Sequence, residues 1–286
     1  VMEVSSQALK YDRSYGVDLD VACFLNIGLD HISPVEHADF EDYFTSKLKI
    51  FSQCATAVVN LDSDHVGRIL EAAAAAERTL TFGVGRAEAD AWADELVPSE
   101  EGISFTMHLD GWERRVSLPF PGDFSVSNAL AAALCAHLLG IGPDAIARGL
   151  AATRVPGRME FYRSKDRQLT AIVDYAHNRL AFESLLSAVS DSFSGAQVIA
   201  VFGAVGGKAL ERRRDLPEVA ARYADYVVLT SDDPWTEDPL DICREMERAL
   251  PEGFPHEIVV DREEAARRAF ELAEGRRSVV LLLAKG

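Results

Sequence analysis

Three groups of side chains in this sequence have the types and spacing to do chemistry. The first is spread over the N-terminal part, in Glu3-Val-Ser-Ser6, Asn26-Ile-Gly-Leu-Asp-His31 and Glu41-Asp-Tyr-Phe-Thr-Ser-Lys47. If these segments are neighbours, a carboxylate and an imidazole meet at one sheet edge, a site suited to a hard cation that keeps some water ligands. On residue types alone, Asp30-His31 equally suits a helix cap or a hydrogen-bonded structural pair, and Lys47 an ordinary solvated helix lysine. The second group is Arg154-Val-Pro-Gly-Arg158 followed by Val173-Asp-Tyr-Ala-His177. A rigid Pro-Gly joint with two arginines leads to an apolar strand ending on Asp174 and His177, the layout of a nucleotide-binding unit hinged onto its neighbour. The third sets Phe202-Gly-Ala-Val-Gly-Gly-Lys208 and Arg212-Arg213-Arg214 beside Ser231-Asp-Asp-Pro-Trp-Thr-Glu-Asp-Pro239. Its glycine run is no triphosphate loop: the spacing is wrong, and Ala209 stands where Ser or Thr would hold magnesium.

The elements that must position these groups read as two α/β domains, over residues 1–152 and 153–286, since 286 residues exceed one usual domain and 48% apolar residues suffice for two cores. The first is mixed. Strands are predicted over 1–4, 21–26, 57–60 and 79–83, with a helix over 69–76 and a hairpin whose arms, 103–109 and 115–118, flank Asp110-Gly111. A helix over 127–139 is closed by Gly140, and Gly142-Pro143 opens the next. After the joint, apolar runs at 170–173, 198–202, 226–229, 257–260 and 279–283 alternate with helix-length segments. That alternation implies a Rossmann-like domain with a mostly parallel sheet. Ligands bind beyond the carboxyl ends of such strands, where Asp174, Gly203, Asp232 and Lys285 fall.

Composition excludes several classes. A net charge of −17 disfavours a grip on nucleic acid, which draws on many cations facing phosphates. The basic residues Arg154, Arg158, Lys208 and 212–214 suffice for a small anion. No run approaches the roughly 18 apolar residues of a membrane span, and Val1-Met-Glu-Val lacks a signal-peptide pattern, so a cytoplasmic protein is expected. Cys23, Cys54, Cys135 and Cys243 have no paired spacing and read as reduced core residues. Both ends read as cut, one in a strand already under way and one where a strand stops.

In this order the segments resemble the Mur ligases, and within that family the MurE type, which adds the third amino acid to the UDP-N-acetylmuramoyl dipeptide of bacterial cell-wall synthesis. The resemblance implies a truncated central ATP-binding domain over 1–152 and a C-terminal Rossmann-like domain over 153–286. It also implies ATP and Mg2+ as cofactors, a free amino acid and the UDP-muramoyl dipeptide as substrates, and a monomer. Glu3, His31 and Lys47 match the magnesium ligands, Lys47 as a lysine carboxylated by carbon dioxide. Ser5 and Arg13 match residues that hold the UDP-linked peptide. Asn128 matches an adenine contact, although Ser125 replaces a usual asparagine and Asn128 equally suits a cap of its helix. Arg158 matches a phosphate contact and Asp174 a ribose contact, with His177 shaping that pocket or capping the next helix. Arg213 matches the arginine for the incoming carboxylate, within a substrate site that takes in Asp232, Asp233, Trp235 and Lys285.

Two departures bear on specificity. Asp233 stands for an asparagine, and Trp235 for the arginine that grips the distal carboxylate of meso-diaminopimelate, so L-lysine is the expected amino acid. The family's phosphate loop, Gly-x-x-x-x-Gly-Lys-[Ser/Thr], precedes Glu-x-Ser-Ser and occurs nowhere in this sequence. The 286 residues alone are therefore expected to be inactive. Folylpolyglutamate and cyanophycin synthetases share the architecture, and a non-catalytic nucleotide-binding module is the rival of another class.

Overall fold

Side-chain alternation in the strand Cys54–Asn60 organises the first half of the molecule, which was analysed as a computed structural model describing all residues except Pro34, Val35 and Gly286. Successive residues of a strand face opposite sides of the sheet. Val58 therefore joins one core with Leu80, Phe82 and Phe105, and Ala57 and Val59 join another with Phe44, Phe51 and Ile69. The described chain divides into two compact units, residues 1–153 and 154 onward.

The first unit runs α1 (Ser6–Lys10), β1 (Leu19–Phe24), α2 (Phe40–Leu48), β2 (Cys54–Asn60), α3 (Val66–Ala73), β3 (Arg78–Val84), β4 (Ala91–Ser99), β5 (Gly102–Leu109), β6 (Trp112–Leu118), α4 (Asp123–Leu138) and α5 (Pro143–Ala152). Its six strands lie in sequence order. The first four are parallel and the last three an antiparallel meander, which includes the hairpin turning at Asp110-Gly111. Residues 1–4 are not a strand: no neighbour pairs with them, and Val1 and Met2 are exposed. β4 was not legible, because Pro98 and the acidic pair Asp94 and Glu95 break its apolar alternation. The sheet supplies what propensity lacks, parallel pairing to β3 and antiparallel pairing to β5 around a bulge between Asp94 and Val97. α4 packs across this sheet with Val126, Leu130 and Leu134 buried.

The second unit runs β7 (Glu160–Arg163), β8 (Leu169–Val173), α6 (Arg179–Ser192), β9 (Gln197–Phe202), α7 (Arg212–Tyr223), β10 (Tyr226–Leu229), α8 (Pro239–Glu247), β11 (His256–Ile258), α9 (Arg262–Leu272) and β12 (Ser278–Leu282). Strand order is β11-β10-β9-β12-β8-β7, parallel throughout except for the edge strand β7. α9 covers one face through Ala265, Ala269 and Ala273, whose small side chains let it approach Ile199, Val201 and Val280. On the β9 strand Phe202 meets Phe182 of α6 edge to face, with centroids 5.0 Å apart.

Burial of this kind sets a measurable scale. Phe105→Ala, at a fully buried position, is expected to cost roughly 3–5 kcal/mol in urea unfolding, and Val97→Ala on the exposed end of β4 about 0.5 kcal/mol or less. Equal effects would mean that the first core is not packed as described.

Candidate functional site

Lys47 sits in the last turn of α2 with its ammonium in aromatic surroundings. Nζ lies 5.6 Å from the Phe24 ring centroid and 5.3 Å from that of Tyr43, and donates to the Tyr43 hydroxyl at 3.3 Å. Among the described residues no carboxylate lies within ion-pair distance of it. Burial pulls its pKa below the usual lysine value, and the nearby charge of Asp30 works against that. The same burial pushes the Tyr43 phenol up to about 12, helped by Asp30 and Glu36.

His31 lies beside this pair, its ring centroid 5.7 Å from that of Tyr43. Nδ1 is 2.9 Å from Glu36 Oε1, and Ser33 Oγ donates to the other oxygen of the same carboxylate. An ionised carboxylate only accepts, so Nδ1 carries a proton, and Nε2 is the nitrogen left facing the site. Its nearest anionic atom is Asp30 Oδ2 at 3.8 Å. A histidine whose second nitrogen is held by a carboxylate is the arrangement that orients a metal ligand. A divalent ion thus suits His31; the Lys47 ammonium would repel it, and a carboxylated Lys47 would attract it. Glu3 is exposed ahead of α1 and makes no hydrogen bond or ion pair among the described residues, so no contact joins it to His31 and Lys47. Nor do any three His, Cys, Asp or Glu side chains among those residues form a ready cation site.

The other first-unit candidates are separate. Ser5 is the N-cap of α1, its hydroxyl accepting from Ala8 N at 3.1 Å. Arg13 is exposed, its guanidinium 5.6 Å from the Tyr11 ring. Asn128 lies inside α4, whose N-cap is Gly122, so it does not cap that helix; its side chain is exposed.

In the second unit the Pro-Gly joint is a tight turn. Arg158 N donates to Val155 O at 3.0 Å, with Gly157 at φ 68° after Pro156, the pairing a turn of this kind favours. Arg158 is exposed and lies over the Tyr175 ring at 4.7 Å. Asp174 accepts from Met159 N at 2.8 Å and Ala176 N at 2.7 Å. Burial raises its pKa, and these two bonds together with Arg158 and His177 oppose the rise. His177 Nδ1 is turned to Tyr175 O at 2.7 Å, and Asn178, not His177, caps α6.

Asp232 is likewise raised by burial and countered by Lys285, Arg262 and His177. Lys285 Nζ is 3.7 Å from its carboxylate. Asp174, His177, Asp232 and Lys285 are thereby gathered at the carboxyl ends of β8, β10 and β12.

Arg213 is buried on α7 and donates to Glu237 Oε1 at 2.7 Å and Glu245 Oε2 at 2.8 Å. Burial works against its charge, and the two carboxylates more than offset that. The same Glu237 oxygen also accepts from Gly207 N at 2.6 Å. Trp235, 75% exposed and at φ 52°, lies over Gly207: a Cβ there would sit 2.2 Å from the indole. Asp233 is exposed and ties the loops by accepting from Gly206 N at 2.8 Å through its carbonyl.

Sequence reasoning missed Glu36, Arg262 and Glu237. The first orients His31. Arg262 donates to Ser231 O and Leu283 O, joining the loops that carry Asp232 and Lys285. No spacing rule ties Glu36 to a histidine five positions back, or Arg262 and Glu237 to partners more than 20 positions away.

A mixed α/β unit followed by a nearly all-parallel one, with charged side chains collected at the latter's strand ends, defines an α/β protein of two units. The family model described as Mur ligase middle domain matches residues 1–136, and that described as Mur ligase, glutamate ligase domain matches 157–286. The chain belongs to the Mur ligase family. It is 36% identical over 290 residues to the UDP-N-acetylmuramoyl-L-alanyl-D-glutamate–L-lysine ligase of Enterococcus faecalis, matching all of this chain and 57% of that protein. The chain thus spans little more than half the length of such relatives. A solved UDP-N-acetylmuramoyl-L-alanyl-D-glutamate–2,6-diaminopimelate ligase is 30% identical, with a TM-score of 0.63 over 99% of this chain and 58% of its own. The folylpolyglutamate synthase of Mycobacterium tuberculosis shares the fold, at 20% identity and a TM-score of 0.75 over 93% of this chain and 61% of its own. No helix among the described residues is long and apolar enough to cross a membrane.

The site makes a prediction about pH. Asp42 on α2 accepts from Lys10 Nζ of α1 at 2.6 Å, and this bond, with one from Ala38 N, lowers its pKa to about 2. A depressed carboxylate stabilises the fold fully above its unfolded value of 3.8 and loses that contribution as pH falls toward about 2. Thermal melts of Asp42→Asn should therefore be less steep in pH than those of the parent chain between these values. Parallel curves would show that the Lys10–Asp42 pair is not formed.

Proposed function

We propose that the full-length protein is an ATP- and magnesium-dependent amide ligase of the cytoplasm that adds L-lysine to UDP-N-acetylmuramoyl-L-alanyl-D-glutamate. The observation that carries this reading is the match of the entire chain, through both units, to a protein named as an L-lysine ligase. The first unit is its central ATP-binding domain and the second its C-terminal domain. The dipeptide's carboxylate attacks the γ-phosphate of ATP, and the lysine amine displaces phosphate from the acyl phosphate. A bound magnesium ion would neutralise charge on the transferring phosphoryl group. His31, carboxylated Lys47 and Glu3 would hold it, the last by moving inward from its exposed segment.

Ser5 and Arg13 would hold the UDP-linked dipeptide, Arg13 through a fork that fits two oxygens at once. Asn128 would reach adenine, Arg158 the phosphates and Asp174 the ribose, with His177 at the pocket wall. Arg213 would take the lysine carboxylate in exchange for Glu237. Asp232, Asp233 and Lys285 set the charge around the side chain, and the exposed indole of Trp235 offers a face to its ammonium.

Two experiments on the full-length protein test this reading. Lys47→Ala should lower turnover on the order of 10²-fold or more, with partial rescue by a small carboxylate and none by bicarbonate, since no amine remains to carboxylate. Unchanged turnover would remove Lys47 from the site. In a competition assay L-lysine should be preferred to meso-diaminopimelate on the order of 10²-fold, because a distal carboxylate left unpaired costs roughly 3 kcal/mol or more. Trp235→Arg should narrow that gap. A native preference for diaminopimelate would show that another residue supplies the cation. Ligation of neither amino acid would favour a folate-type ligase or a binding module.

A further inference from the structure

We infer that His37 is a positioning residue for this reaction, a buried brace that holds the Lys47 helix against the segment carrying Glu3 and Ser5. The inference rests on the reading of Lys47 as a working residue of a ligase. His37 is completely buried in the loop between His31 and α2. Its Nε2 lies 2.9 Å from Ser6 Oγ, at the start of α1, and its Nδ1 lies 3.5 Å from Asp42 Oδ2, in the first turn of α2. Nδ1 makes no hydrogen bond among the described residues and only approaches the Asp42 carboxylate, so the bond to Ser6 and the ring face carry the contact.

Both partners are themselves fixed. Asp42 accepts from Lys10 Nζ at 2.6 Å and Ala38 N at 3.0 Å, and Lys10 also donates to Glu36 O at 2.9 Å. α1, the His31–His37 loop and α2 thus close on one imidazole. A side chain needed only to fill space would be apolar, since burying an imidazole costs free energy unless its nitrogens are engaged. The ring reaches the chemistry through Tyr43: the two centroids are 5.3 Å apart, and the Tyr43 hydroxyl accepts from Lys47 Nζ. His37 bonds Ser6 through Nε2 and packs its ring on Tyr43, and so acts through Tyr43 and Lys47.

The test compares full-length wild type with His37→Leu, His37→Gln, Ser6→Ala and Asp42→Asn. The readouts are melting temperature, steady-state kinetics and the ¹³C signal of a Lys47 carbamate in labelled bicarbonate. For folded His37→Leu we expect kcat to fall about tenfold or more with KM for lysine within about twofold of wild type, because the lysine contacts belong to the other unit. The carbamate signal should fall with kcat, and His37→Gln, which can still bond Ser6, should recover most of both. A residue that merely fills space would lower the melting temperature and leave kcat and the carbamate intact, and that result overturns the inference. Should His37→Leu fail to fold, Ser6→Ala and Asp42→Asn cut the brace from either end; unchanged kcat in both overturns it, and a loss in either that spares KM for lysine supports it. If wild type forms no carbamate, the Lys47 reading fails, while kcat and the glutamine rescue still decide for or against the brace.

Discussion

The second unit depends on where β12 pairs. It is the last described strand in sequence, yet it lies between β8 and β9, and its parallel register to both fixes the loops that follow all three. Beyond the strand ends the same pairing continues through Asp174 N to Leu282 O, Leu283 N to Val201 O and Ala284 N to Ala176 O. Asp174 and Lys285 are therefore placed by backbone hydrogen bonds rather than by loops of their own choosing. A slip of one residue would turn every strand side chain to the other face and scatter this group, so the buried Val279, Val280 and Leu281 that forbid the slip serve the site as much as the core.

The first unit reaches a comparable result by desolvation. Burial of the Lys47 amine between Phe24 and Tyr43 lowers its pKa, and a neutral amine is the form that adds carbon dioxide. The sequence around Lys47 thus does two things at once: α2 buries Tyr43 and Phe44 to hold itself in the core, and the same burial changes the chemistry of the residue one turn further on. Asp30, buried nearby, opposes that shift.

Most of the fold was legible because it follows from local periodicity. Apolar runs marked all the second unit's central strands, and Asp110-Gly111 marked the hairpin. β4 and β7 escaped because neighbouring strands, not their own residues, make them strands, and residues 1–4 misled because an apolar start has strand character without a partner. For the candidate site, local motifs identified Lys47, His31, Asp174 and Asp232 as polar groups of interest. The partners that define their behaviour were invisible. Glu36 under His31, Glu237 and Glu245 around Arg213, and Arg262 between two loops are ordinary surface-type residues until the fold brings them together. Asn128 illustrates the reverse error: its residue type suggested a cap, but the helix begins five residues earlier, at Asp123.

The contact between Trp235 and Gly207 also constrains how this protein can change over evolutionary time. While residue 235 carries an indole, residue 207 has no room for any side chain, and the neighbouring carbonyl of Pro234 restricts residue 206 in the same way, a Cβ there falling 1.9 Å from it. Altering position 235 removes the indole from residue 207 but leaves its φ of 71°, which keeps favouring glycine there. The path is asymmetric, since a lineage that has filled position 207 cannot regain the tryptophan in a single step. Within such a family, the residues at 207 and 235 should be inherited as a pair.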